Sequence, residues 1–149
     1  MSKLIVPIAS DHRGFALKSK FLAWLSAHDY APQDLGPFND SRCDASDYAV
    51  AIAEKIKRNS NELGVLICGS GQAMAMTANR FQHLRAALCT NTTMARLARE
   101  HNDANVLVLG ADIVGEGLAL DCLQVFLSTP FLGDRYIARR DKLTQMGGL

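Results

Sequence analysis

The sequence has almost no imbalance of charge: 16 Lys and Arg against 15 Asp and Glu give a formal net charge of +1 over 149 residues. Nothing in that balance points to nucleic acid or an anionic membrane surface as a partner. A long apolar run is also missing; none approaches the roughly 20 residues that span a bilayer. Met1-Ser2-Lys3 leads straight into a strand-like segment, without the charged, apolar and small-residue succession of a signal peptide, so a cytoplasmic location is expected. The four cysteines (Cys43, Cys68, Cys89, Cys122) contain no C-x-x-C pair. That argues against a zinc ribbon or a thioredoxin-type centre and for free thiols in a reducing compartment. The four histidines (His12, His28, His83, His101) form neither H-x-x-x-H nor H-E-x-x-H, and no metal site is expected. There is no internal repeat, linker or low-complexity stretch. What remains is 48% hydrophobic and 21% charged, an ordinary globular composition, in a length that suits one domain, 1–149, with a real core.

Short apolar runs alternate with amphipathic stretches. Strands are expected over 4–9 (LIVPIA, with Pro7 unable to donate to a ladder), 30–35, 63–68, 85–89 and 105–109. Helices are expected over about 14–28, 47–58, 72–81, 92–100 and 115–127, with a basic C-terminal helix over about 134–146. In the first helix Lys18 and Lys20 fall between the apolar positions. Residues 37–46 are polar and turn-rich. This alternation predicts an α/β fold, a five-stranded parallel sheet with helices on both faces and a ligand at the carboxyl ends of the strands.

The strand-end rule directs attention to four loops: 10–14, 68–71, 101–103 and 110–112. In Cys68-Gly69-Ser70-Gly71 a cysteine ends an apolar strand and two glycines let backbone amides approach a ligand closely. The helix that follows favours negative charge at its start, a thiolate included. The bland alternative is a tight turn with a buried cysteine acting as a small hydrophobe. Several better-known loops do not fit. A dinucleotide fingerprint would need glycine at Met74, and a cysteine phosphatase would need arginine there. The Gly-Lys-Ser/Thr of a nucleotide-triphosphate loop is absent, and Cys68 stands where a phosphoacceptor receiver carries aspartate.

Asp11-His12 follows the first strand and could handle protons on hydroxyl groups, or Asp11 could simply cap the next helix. His101 and Asn102 lie between the fourth helix and the fifth strand, where a histidine favours the helix dipole and Asn102 can take an αL cap. From there they reach a strand-end site on a partner chain more easily than on their own. Arg135 and Arg139 are four apart and share a helix face, either as an anion clamp or as a solvated basic tail that also holds Arg140 and Lys142. Met74, Met76 and Thr77 read as core or subunit contact.

Taken together these segments resemble the family of type B ribose-5-phosphate isomerases and galactose-6-phosphate isomerase subunits. The matching pieces are Ala9 to Phe15, Leu17-Lys18, Gly64 to Gly71, Ala78-Asn79-Arg80, Arg85 to Cys89, Ala95 to Leu107, and Gly133-Asp134-Arg135 with Arg139. The resemblance covers nearly the whole chain in order. It implies a Rossmann-like three-layer α/β/α sandwich, a homodimer or tetramer with active sites between subunits, and no metal or organic cofactor. It also implies interconversion of an aldose and a ketose phosphate, in the pentose phosphate pathway ribose 5-phosphate and ribulose 5-phosphate.

Carried over residue by residue, Cys68 resembles the base that moves a proton between C2 and C1. The amides of Gly69, Ser70 and Gly71 resemble an oxyanion hole for the enediolate. Asp11 and His101 resemble the ring-opening groups, and the Ser70 hydroxyl a proton-transfer aid. Asn102 resembles a hydroxyl-binding residue; His12, Arg135 and Arg139 resemble the phosphate clamp. Two departures touch the sugar side. Ala45 stands where the family often has tyrosine, with Tyr48 as a candidate substitute, and Asp112 reverses the charge of an arginine found in many members. They keep open a substrate of four or six carbons, a silent sugar-phosphate-binding paralogue, or a scaffold subunit whose partner is active.

Overall fold

The structure is a computed structural model that describes residues 2–146. In chain order the elements are β1 (Leu4–Ser10), α1 (Phe15–Ala27), β2 (Tyr30–Asp34), α2 (Ala45–Lys55), β3 (Gly64–Cys68) and α3 (Gln72–Ala78). They continue as β4 (Ala86–Leu88), α4 (Thr92–Asn102), β5 (Val106–Gly110), α5 (Glu116–Ser128) and α6 (Arg135–Met146). The five strands form one all-parallel sheet in the order β2-β1-β3-β5-β4.

Side chains alternate across the central strands and build two cores. Val6, Ile8, Val65, Ile67, Leu107 and Leu109 face α1, α4 and α5; Ala9, Leu66, Cys68, Val106 and Val108 face α2 and α3. The chain moves toward the β2 edge with α1 on one face, then toward the β4 edge with α2 and α3 on the other. It returns from β4 to β5 with α4 on the first face. Direction and face reverse together, so every crossover keeps the same hand, as parallel βαβ units require. Because the connections that leave β1 and β3 run in opposite directions and to opposite faces, a crevice opens at the carboxyl ends of these neighbours. Pro7 is tolerated because the ladder to β3 begins only at Ile8 paired with Val65.

Several element ends differ from the sequence expectation; α2 begins two residues early, at Ala45, inside the stretch expected to be loop, and three other ends have a local reason. Helix α3 stops at Ala78 because the Asn79 side chain leaves the helix to clamp β4, donating to Ala86 O (3.0 Å) and accepting from Ala86 N–H (2.8 Å). Helix α2 stops at Lys55; the Lys57 N–H donates to Glu62 Oε2 instead (2.9 Å). Helix α4 runs two residues further, through His101 and Asn102, and the αL position is taken by Asp103 (φ 49°) rather than Asn102. The Ala104 N–H reaches back to Ala98 O at 3.0 Å, which closes the helix end.

Two basic residues are held by specific partners. Lys18 is fully buried: its ammonium bonds Asp34 Oδ1 at 2.7 Å and Pro37 O at 2.5 Å, with the Phe15 and Phe38 rings 5.4 and 5.7 Å away. A buried charge persists only with such partners, so Lys18 pins the loop after β2. Arg140 is not part of a solvated tail; it donates to Asp103 Oδ2 (2.9 Å), next to Arg99 and Arg85. Met74 is wholly in the core, while Met76 is exposed. Among the described residues no helix is long and apolar enough to cross a membrane.

Candidate active site

The Cys68–Gly71 loop leaves the middle of the sheet between β1 and β5. Cys68 is 4% exposed, and the Gly71 N–H donates to its Sγ at 3.2 Å. Gly71 has φ +80°, and a Cβ there would overlap Leu88 Cδ1 and crowd the β5 backbone, so only glycine fits this turn. Ser70 is exposed and its Oγ accepts from the Gln72 N–H (3.3 Å). The Ala111 and Asp112 N–H groups donate to Cys68 O and Gly69 O at 2.8 and 2.9 Å, tying the loop to the end of β5.

The end of β1 is joined to the same place. The Asp11 N–H donates to Ile67 O (3.1 Å), which sets Asp11 beside the end of β3. Asp11 is buried; its Oδ1 accepts from the N–H groups of Arg13 (2.9 Å) and Gly14 (3.0 Å). Asp11 does not cap α1, whose N-cap is Gly14 without a side-chain bond; its Oδ1 instead closes the turn ahead of the helix, which orients the carboxyl group without consuming Oδ2. Gly14 has no room for a side chain, since a Cβ would sit 2.5 Å from Ile67 O. His12 Nδ1 accepts from the Cys43 N–H (3.3 Å), so in the neutral ring Nε2 carries the proton and is a donor. Over Gly69 lies an ion pair, Arg13 Nε and Nη2 each 2.6 Å from Asp112 Oδ2.

The other expected site residues lie elsewhere. His101 is in the last turn of α4, which feeds the amino end of β5. A five-residue strand separates that end from the Cys68 loop by roughly 15 Å. There the His101 ring stacks on Tyr136 (centroids 4.4 Å, planes 9° apart). Arg135 donates to the Tyr136 hydroxyl at 3.1 Å, and the Arg135 and Arg139 guanidinium groups lie 5.1 and 5.6 Å from the Tyr136 ring. Asn102 lines an apolar cleft of about 420 Å³ beside β4, with Phe81 and Leu143; neither Cys68 nor Asp11 borders it. The structure thus brings together Asp11, His12 and Cys68–Gly71 in one group and His101, Arg135 and Arg139 in another. Tyr136, the hub of the second group, was not singled out from the sequence. Its signal was its place between the two arginines, on a helix that presents them together.

The remaining thiols are unsuited to chemistry at neutral pH. Burial pushes Cys89 up to about 12 and raises Cys43 and Cys122. Among the described residues no cluster of three or more His, Cys, Asp or Glu is placed to hold a metal.

Residues 6–143 match the family model described as Ribose/Galactose Isomerase. The chain belongs to that family. It is 39% identical over 138 residues to the probable ribose-5-phosphate isomerase B of Mycoplasma genitalium, with 91% of each chain covered. It is 33% identical over 139 residues to ribose-5-phosphate isomerase B of Escherichia coli, with 93% of each covered. The crystal structure of a ribose 5-phosphate isomerase from Thermotoga maritima superposes with TM-score 0.91 at 41% identity, covering 95% of this chain and 98% of that one. The Mycoplasma genitalium enzyme with bound ribulose-5-phosphate superposes with TM-score 0.93 at 36% identity, covering 99% of each chain. The Rossmann-like parallel sheet is therefore the family fold. Against the family pattern, Ala45 opens α2 without a ring, and Tyr48 is partly buried, packed beneath Gly36, whose added Cβ would lie 3.0 Å from Tyr48 Cε1.

Proposed function

We propose that this chain is an aldose–ketose isomerase that interconverts ribose 5-phosphate and ribulose 5-phosphate, in the cytoplasm and without a cofactor. Family membership sets the reaction class, and the observation that carries the assignment of chemistry is the Cys68 loop. A buried sulfur at a strand end, contacted by an amide, sits on the strand beside the one whose end leads into Asp11 and His12, and the Asp11 N–H bonds the residue before Cys68.

In this reading Asp11 and the His101 of a second copy move protons between the ring oxygen and O1, opening the furanose. The Cys68 thiolate takes the proton from C2, and the electron pair moves to form the enediolate. The same sulfur then returns the proton to C1 while the O2 proton passes to O1, leaving the ketose. The Gly71 N–H already serves Sγ, so the oxyanion falls to the amides of Gly69 and Ser70. The Ser70 hydroxyl aids the proton movement between the oxygens. The His12 Nε2–H, with Arg135 and Arg139, holds the phosphate, and Asn102 a sugar hydroxyl.

The separation of the two groups within one chain supports a homodimer, or a tetramer built of such dimers, in which each site takes Cys68 from one copy and His101 with the arginines from another. Ala45 and Asp112 favour a second reading, in which the same chemistry acts on a sugar phosphate of another length. Purified protein mixed with ribose 5-phosphate, without added metal, should form ribulose 5-phosphate. Cys68→Ala should lose about 10³-fold or more of kcat, near the upper range for a general base, and keep the substrate Kd, because the phosphate clamp lies elsewhere. A near-normal kcat in that variant would sink the assigned base. Turnover of a four- or six-carbon phosphate in preference to ribose 5-phosphate would select the second reading.

A further inference from the structure

The loop that would hold the enediolate carries a carboxylate against it. The Asp112 N–H donates to Gly69 O at 2.9 Å, so this residue is rooted on the loop. A Cβ on Gly69 would lie 2.9 Å from Asp112 Oδ2, 3.1 Å from Arg13 Nε and 3.2 Å from Arg13 Cδ. Only the absence of a side chain at Gly69 lets the pair rest there. Arg13 is rooted equally well, its N–H donating to Asp11 Oδ1. One end of the ion pair thus springs from the loop that bears Asp11, and the other from the loop after β5, which is hydrogen-bonded to the loop that bears Cys68.

A negative charge beside this loop opposes the reaction. The enediolate develops an anionic oxygen next to amides whose purpose is to attract it, and a thiolate must form there first. Arg13 cancels that charge by placing Nε and Nη2 each 2.6 Å from one carboxylate oxygen. The pair does little for folding: the side chains are 58% and 48% exposed, and ion pairs of that kind contribute little to stability. Its consequence is felt in the electrostatics of the neighbouring site.

We infer that Arg13 is a charge-balancing residue of the active site, which neutralises Asp112 so that the Cys68–Gly71 loop can accept an anionic enediolate. Arg13 touches no reacting atom; it acts through Asp112. The inference rests on the isomerase reading given above. An unpaired carboxylate about 6 Å from the developing oxyanion, at an effective dielectric constant near 20, slows the reaction on the order of 10- to 100-fold.

The test is a double-mutant cycle with ribose 5-phosphate: wild type, Arg13→Ala, Asp112→Asn and the double variant, with Arg13→Lys as the charge-conserving control. Arg13→Ala should lower kcat/KM about 10- to 100-fold, and adding salt should shrink the defect. Asp112→Asn should not lower kcat/KM. The double variant should return to within about threefold of wild type, since no uncompensated charge remains. Arg13→Lys should keep most of the activity. Denaturant midpoints of the five proteins should agree closely, separating the effect from misfolding. If the wild type turns over but Arg13→Ala matches it, or the double variant is no better than Arg13→Ala, the inference is overturned and the isomerase reading stands. A wild type that isomerises no sugar phosphate overturns both.

Discussion

If each active site joins Cys68 of one copy to His101 of another, two inactive variants must restore each other. Cys68→Ala removes the proposed base, and His101→Asn removes a ring-opening group while keeping the end of α4 polar. Each homodimer then has two incomplete sites. In a mixed dimer, one site receives both substitutions and is doubly disabled. The other takes the intact Cys68 and the intact His101, and is whole. Random reassortment of equal amounts gives half mixed dimers, each with one of its two sites restored, so about a quarter of wild-type activity should return. The structural ground is the separation of roughly 15 Å between the Cys68 loop and the amino end of β5, where α4 delivers His101. The assay is ribulose 5-phosphate formation after mixing, under mild dissociating conditions, with a fluorescence-labelled copy reporting subunit exchange. Activity that rises with the same half-time as exchange supports the shared site. A mixture that exchanges fully and stays inactive refutes it, because both groups would then belong to one chain's site or His101 to none.

Gly71→Ala should destabilise the chain by about 2–4 kcal/mol, from the left-handed backbone at φ +80° and the overlap with Leu88 and β5, read as a lower urea midpoint. Its kcat should also fall, since the displaced amide is the donor to Cys68 Sγ. Among the three thiols outside the loop, Cys43 is the most accessible and should be alkylated by iodoacetamide at pH 8 well before Cys89 and Cys122, as peptide mass mapping would show. Burial raises Cys89 from 9.0 to about 12 in the folded chain, so the stability it contributes is complete below about pH 9 and is lost as the pH rises toward 12. Urea midpoints should therefore fall between pH 9 and 11, with a shallower slope in Cys89→Ala; equal slopes would remove Cys89 as the cause.

What the sequence made legible is what neighbours in the chain determine. The alternation of apolar runs and amphipathic stretches placed the five strands and six helices of the described residues. Cys68-Gly69-Ser70-Gly71 could be read as a strand end with close backbone approach because the glycines are local to the turn. Sheet order was not legible, since β5 enters between β3 and β4 through contacts distant in sequence. The burial of Lys18 was not legible from its place between apolar positions, because its partners, Asp34 and Pro37, arrive from the far end of β2. Tyr136 was hidden among basic residues, and only its stacking on His101 marks it. The same limit applies to Asp112. Its reversed charge could be read directly, and read alone it counts against an anionic substrate. Its partner Arg13 lies 99 residues away, and only the fold brings the two together over Gly69. A charge change at one position of an active-site loop is therefore not a change in the field there until the partner is known. For this chain the partner leaves the pair neutral.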